Sequence, residues 1–146
     1  MAKAFPAHGR YKLYCEDRLM ISEVIGPWNL EFIREWSMAS IPYCEQMREG
    51  GAWIAYAKIS GSMLATPDAM DALRKVIINS RELYGCIGHV LVAAPNVAGR
   101  GIVEFAFERS YGDITKTGFF DDDASAKAWA KALLAQHHPQ PSRSTV

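Results

Sequence analysis

The stretch "KISGSMLATPDAM", residues 58–70, gathers Ser60, Ser62 and Thr66 around a glycine and a helix start. Hydroxyls in that setting do one of three things. They accept backbone N–H bonds as turns and caps, they take a phosphoryl group, or they hold one end of a ligand at a helix N-terminus, where anions collect. Two further segments offer partners for such a loop. "GPWN" supplies Trp28 and Asn29, and "APNVAGRG" supplies Arg100 between two glycines. A guanidinium there suits an acidic head group. Met63 and Leu64 place apolar side chains in a loop. They either tuck under the following helix or line an apolar cavity or membrane-facing surface. Phe105, a few residues past Arg100, adds apolar area. The candidate ligand-binding set is therefore Trp28, Asn29, Ser62, Met63, Leu64, Arg100 and Phe105.

Other chemistries lack their residues. "GRG" is no dinucleotide fingerprint, because the third glycine would fall at Glu104. No Gly-x-Ser-x-Gly elbow and no Walker lysine occur. His8 and His89 stand alone in sequence, and His137 and His138 sit in a polar terminal stretch, so no metal site is expected. The aspartates of "FDDD" read as helix caps rather than cation ligands. No nucleophile–base–orienter set is visible, so no catalytic residue and no cofactor are proposed at this level.

The elements that must position these residues follow from periodicity. "YKLYC" and "LMISEVI" alternate as strands around an "EDR" turn. Asn29 then caps a helix over about 30–49, with Phe32, Ile33, Trp36, Ala39, Tyr43 and Met47 on one face. Pro42 inside it is expected to kink or split the helix near Ser40. "WIAYAKIS" (53–60) is nearly continuous in apolar residues, as in a strand buried on both sides. Thr66 caps a second helix, Pro67 takes its first position, Asp68 suits its dipole and Gly85 ends it. "HVLVAAP" (89–95) is a strand, and Val103, Ala106, Phe107, Ser110 and Tyr111 mark a short helix. "ITKTGFF" is a strand, and Asp121 or Asp122 caps a last helix with Trp129 and Leu133 inward. The order ββαβαβαβα means a mostly parallel five-stranded sheet with one antiparallel edge and flanking helices, an α/β fold. Ile102 and Phe105 lie off the buried stripe of the third helix. It reads either as a lid over an apolar site or as a helix packed on both sides or against a second subunit.

Three of these segments, "GPWN", "GSMLATPDAM" and "GFFDDDASAKAWAKALL", occur in that order on the right elements and resemble the SpoIIAA-like bacterial family. That family has the STAS fold, shared by anti-sigma-factor antagonists and the cytoplasmic domains of sulfate transporters. The resemblance spans about residues 8–135 and implies a small mixed sheet with four helices. STAS domains have been likened to CRAL-TRIO lipid-binding domains, so it also implies a hydrophobic ligand. In regulatory STAS proteins the loop after this strand runs roughly Asp-x-Ser-x-x-x-x-x-Asp-Ser-Ser/Ala-Gly, and the serine after the second aspartate is phosphorylated by a partner kinase. Laid over that pattern, Lys58 stands at the first aspartate, Ser60 at the first serine, Thr66 at the second aspartate and Pro67 at the phosphoacceptor. Proline cannot be phosphorylated, so the usual switch is absent at its usual residue.

Bulk properties fit this reading. A chain of 146 residues with 49 % hydrophobic and 22 % charged residues suits one globular domain. Sixteen basic and sixteen acidic residues give no net field to recruit nucleic acid. Cys15, Cys44 and Cys86 form no Cys-x-x-Cys and sit in apolar segments, as buried thiols in a reducing compartment do. With no signal core in "MAKAFPAHGR" and no membrane-length apolar run, the expected location is the cytoplasm. The domain is expected over 9–136, between a flexible stretch at 1–8 and a disordered tail at 137–146. The expected function is non-catalytic binding of a small amphipathic, lipid-like ligand, with a membrane surface as a further candidate partner. The alternative is a regulatory module for a protein partner. Met38 and Ile78, on otherwise polar helix faces, mark a candidate homodimer patch.

Overall fold

A computed structural model describes residues 9–137. The expected flexibility of residues 1–8 and disorder of the tail from 138 onward lie outside the described residues. His137, assigned to the tail from sequence, instead closes the last helix, its Nδ1 lying 3.1 Å from the Leu133 carbonyl.

The elements run β1 (Arg10–Glu16), β2 (Leu19–Ile25), α1 (Leu30–Glu49), β3 (Trp53–Ser60), α2 (Pro67–Tyr84), β4 (Cys86–Ala93), α3 (Arg100–Tyr111), β5 (Lys116–Phe120) and α4 (Asp123–His137). The sheet has the order β1-β2-β3-β4-β5, with β1 antiparallel to β2 and the remaining pairs parallel. From β2 onward every crossover steps one place in the same direction. Right-handed connections of that kind deposit all their helices on one face. Accordingly α1, α2 and α3 pack side by side on one face, and α4, which follows the last strand, covers the other.

The register assigns each strand residue to a face. Facing α1–α3, one row reads Cys15, Met20, Ala55, His89, Thr117 and the next Leu13, Ser22, Ala57, Leu91, Phe119. Facing α4, the rows read Tyr14, Ile21, Tyr56, Val90, Gly118 and Lys12, Glu23, Lys58, Val92, Phe120. Gly88 lets α4 sit close to the sheet, since a Cβ there would lie 2.8 Å from Leu133. β3 is the centre of both layers: Trp53 and Ile54 are 0 % exposed and Tyr56 1 %. The expectation of a strand buried on both faces holds.

Several details differ from the sequence reading: β4 ends at Ala93 and β5 starts at Lys116, each two residues inside its expected bound. β4 begins at Cys86, three residues before His89, because the left-handed Gly85 ends α2 and returns the chain directly into the sheet. Helix α1 runs unbroken through Pro42. Phe32 and Ile33 before the proline and Cys44 and Met47 after it are all buried, so packing holds both halves to the sheet face in one element.

Candidate functional site

The three loops expected to converge do converge, and backbone hydrogen bonds stitch them into one layer. Trp28 N donates to Leu64 O at 2.9 Å, Thr66 N to Trp28 O at 3.2 Å, and Met63 N to Ala98 O at 2.8 Å. Short parallel bridges join Trp28 to Ala65 and Ser62 to Ala98. The close approach requires Gly26, where a Cβ would fall 1.9 Å from the Ser62 carbonyl oxygen.

This layer uses up the polar groups that made it a candidate site. Asn29 Oδ1 accepts from Phe32 N at 3.0 Å and caps α1. Ser62 Oγ accepts from Leu64 N at 3.1 Å. Thr66 Oγ1 accepts from Ala69 N at 3.3 Å and donates to Asp68 at 2.5 Å. Pro67 takes the first position of α2 and Ser60 is exposed at the end of β3. The Arg100 guanidinium, expected to meet a head group, is bound internally. Its Nε donates to Ala93 O at 2.9 Å, it pairs with Glu104 at 3.2 Å and with Asp121, and it lies 4.9 Å over the Phe119 ring.

The apolar candidates scatter. Met63 is 0 % exposed and belongs to the core. Leu64 lies half outside and packs against Gly99. Phe105 and Ile102, 66 % and 73 % exposed, face solvent on the outer side of α3. That helix is fastened: Tyr111 Oη donates to Met70 O at 2.8 Å and Arg74 to Ser110 O at 2.7 Å. Of the seven candidate residues, Trp28 lines a cavity beneath the loops, Met63 is core, and Leu64 and Phe105 stand at the surface.

That cavity lies deeper, between the sheet and helices α1 and α2, with a volume of about 80 Å³. Small side chains from several elements leave it unfilled: Ser22 on β2, Ala55 and Ala57 on β3, Ser40 on α1 and Ser80 on α2. Val24, Phe32, Ile33 and Leu73 make the wall apolar. The serines are spoken for. Ser22 Oγ accepts from Trp36 Nε1 at 3.0 Å, and Ser40 and Ser80 each donate to the carbonyl three residues back at 2.8 Å.

His89 also borders the cavity, with Nε2 3.2 Å from Ser80 Oγ and 3.7 Å from Cys86 Sγ. Burial without an acidic partner pushes its pKa down to about 4. Burial pushes the Cys86 thiol up to about 11. Both shifts oppose a thiolate–imidazolium pair, so this Ser–His–Cys trio at neutral pH is a neutral hydrogen-bonding group and not an activated nucleophile. Trp28 Nε1, buried at the same wall, has no partner among the described residues.

A second polar constellation sits on the opposite face. Tyr56 donates to Asp123 at 2.5 Å and Tyr14 to Glu23 at 2.5 Å, while Lys58 and Lys127 flank Asp123 at 3.7 and 3.3 Å. The Tyr14 hydroxyl is pushed up to about 12, first by its bond to Glu23. Burial alone would raise the Asp123 carboxyl, but hydrogen bonds from Tyr56 and Lys127 outweigh it and hold the acid below its ordinary value. Among the described residues no group of three or more His, Cys, Asp or Glu side chains is placed to hold a metal ion, and no helix is long and apolar enough to cross a membrane.

Comparison with solved structures decides the fold. The chain matches the crystal structure of an uncharacterised protein of the DUF3478 family from Shewanella loihica PV-4, described as having a SpoIIAA-like fold. The TM-score is 0.55 at 12 % identity, covering 89 % of this chain and 99 % of that one. This chain has a SpoIIAA-like fold. No sequence-family profile and no curated protein matches it.

Within this SpoIIAA-like fold, the segment Ser60–Pro67 closes β3 and opens α2, and its hydroxyls at 62 and 66 serve the local backbone. Sequence reasoning missed the cavity and His89. Signals for both were present. In "WIAYAKIS" the alternate positions Trp53, Ala55, Ala57 and Ile59 share a face, and two alanines in the middle of the central strand leave room above them. His89 lies within an apolar run and Ser80 on an apolar helical stripe, and buried polar groups find one another.

Proposed function

We propose that this protein is a binding module for a small, largely apolar molecule that enters the cavity between the sheet and α1–α2. One observation carries the reading: side chains are truncated at one place on four elements, leaving about 80 Å³ of apolar-walled space beside a buried neutral histidine. An apolar cavity of roughly 150 Å³ in a protein core stays dry and accepts benzene. The space here suits a ligand group of a few heavy atoms, with a larger apolar tail accommodated by outward movement of Trp36. Ser80 Oγ, which donates to Ile77 O and lies beside His89 Nε2, keeps a lone pair that can accept from a hydroxyl on that ligand. A carboxylate is disfavoured, because neither partner carries a charge at neutral pH.

Titration with benzyl alcohol, indole and octanoate, followed by tryptophan fluorescence and by native mass spectrometry, tests this. Saturable binding of the neutral probes is expected, and Ala57→Leu, which fills the space, is expected to abolish it. A mass free of ligand together with no saturable binding of any probe removes the reading.

A second reading is a regulatory module for a protein partner, favoured by the exposed Leu64, Ile102 and Phe105. Phe105→Asp would then weaken capture of a partner while leaving benzyl alcohol binding intact.

A further inference from the structure

The α4 face of the sheet is unevenly covered. Helix α4 packs on β3, β4 and β5, and meets β1 and β2 at their Glu16–Ile21 end, where Lys127 pairs with Glu16 and Tyr14, Leu19 and Ile21 join the apolar cluster under α4; the opposite end of the two strands is left to its own side chains. At the carboxyl edge of β2 and β3 this opens a groove of about 600 Å³, a size typical of small-molecule sites. It lies at the strand ends where α/β sheets place ligands. It shares the backbone positions Val24 and Ile59 with the α1–α2 cavity but opens on the other face of the sheet, and it does not rest on the function proposed for that cavity.

The charges of the groove are unequal. Arg10, Lys12 and Lys58 line it against Glu23 and Asp123, a formal excess of one cation. Both acids are already engaged. Asp123 is held by Lys58, Lys127 and the Tyr56 hydroxyl, and Glu23 accepts from Tyr14 while standing between Lys12 and Lys58 in the cross-strand row. Arg10 and Lys12 make no ion pair among the described residues, although both are at the rim. Ile25 and Val92 give the groove an apolar floor, and Ile25 is 49 % exposed.

From this we infer that the groove is an anion site for a phosphate-bearing molecule with an apolar portion, its phosphate held by Arg10, Lys12 and Lys58 and its apolar part lying on Ile25 and Val92. A guanidinium and two ammonium groups match the three acceptor oxygens of a phosphate monoester. A soluble phosphomonoester and the monoester head group of phosphatidic acid share this chemistry.

Phenyl phosphate is the probe, followed by amide chemical shifts of the full-length protein. Saturable shifts at residues 10–12, 23–25 and 58–60 are expected, with weaker binding at high salt. The double substitution Arg10→Ala, Lys12→Ala is expected to weaken binding about tenfold, an effect of the size that a lost charge-assisted contact produces. Both residues lie at the surface, so the variant is expected to keep the wild-type fold, read from the unchanged amide shifts of α1, α2 and α4. Co-sedimentation with phosphatidic acid vesicles that is lost in the double variant assigns the phosphate to a lipid. Phenyl phosphate binding without vesicle binding assigns it to a soluble compound. Absence of saturation, shifts confined elsewhere, or equal affinity in the double variant overturns the inference, and a response to phenyl phosphate that benzyl alcohol reproduces at the same amides does so too.

Discussion

Acidification between pH 6.5 and 4 is expected to weaken this fold through His89 in particular. The imidazole is buried, 3.2 Å from a serine hydroxyl and 3.7 Å from a thiol, and its pKa falls from 6.5 to about 4 because burial disfavours the cation. In the unfolded chain the same group titrates near 6.5. Above that pH both states hold a neutral imidazole and His89 contributes no pH dependence. Below it the unfolded chain takes up a proton that the folded chain refuses until about pH 4, so acid draws the equilibrium toward unfolding. The slope rises toward about 1.4 kcal/mol per pH unit once the unfolded imidazole is protonated, so the loss between pH 6.5 and 4.5 is on the order of 2 kcal/mol. Urea unfolding at several pH values between 7.5 and 4.5 measures it. His89→Gln keeps a neutral polar side chain and is expected to be less stable at pH 7 by about 1–3 kcal/mol. Its stability should nevertheless fall less steeply with acid, and that difference in slope isolates His89 from every other titrating group. A His89 ring resonance that titrates near 6.5, or identical slopes in the two proteins, refutes the reasoning.

Three further outcomes follow from the geometry. Gly26→Ala puts a Cβ 1.9 Å from the Ser62 carbonyl and should cost about 3 kcal/mol in urea unfolding, since the stitched loops leave no room to yield. Asn29→Ala removes the cap on Phe32 N and should cost about 1 kcal/mol, with Asn29→Ser recovering much of it. Tyr56→Phe deletes the hydroxyl that Asp123 accepts at 2.5 Å. It should cost about 1 kcal/mol and move the Asp123 titration upward, visible in carboxyl carbon shifts.

The elements were legible because their signals are local. Asn29, Thr66 and Gly85 announce helix ends with chemistry confined to a few residues, and the structure finds each of them in the expected role. Order and parallelism followed, since strands alternating with helices admit few sheets. What failed depends on distance in space. The sequence shows that Arg100 stands between glycines, but not that Asp121, well along the chain, supplies its counter-charge. It shows Met63 in a loop, but not that the loop between β4 and α3 closes over it at Ala98. Pro42 carried a local signal for a break that long-range packing of Phe32, Ile33, Cys44 and Met47 overrode.

These failures share a cause that relocates the search for function. A loop rich in hydroxyls attracts attention as a ligand site, but every helix start and tight turn needs acceptors for its own N–H groups. Asn29, Ser62 and Thr66 meet that need here, and their lone pairs are committed before any ligand arrives. Ligand capacity must then reside where the fold leaves something unfilled or unpaired. On one face that is missing volume, where Ala55 and Ala57 stop short of the helices. On the other it is an excess of one cation at the groove rim, where Arg10 and Lys12 make no ion pair among the described residues. The first favours an uncharged apolar group and the second an anion. The sheet separates them, with Ser22 and Ala57 on one side of β2 and β3 and Glu23 and Lys58, the next residues along, on the other. A one-residue change of face is thus enough to give this small domain two chemically distinct surfaces, each testable by a probe that the other should ignore.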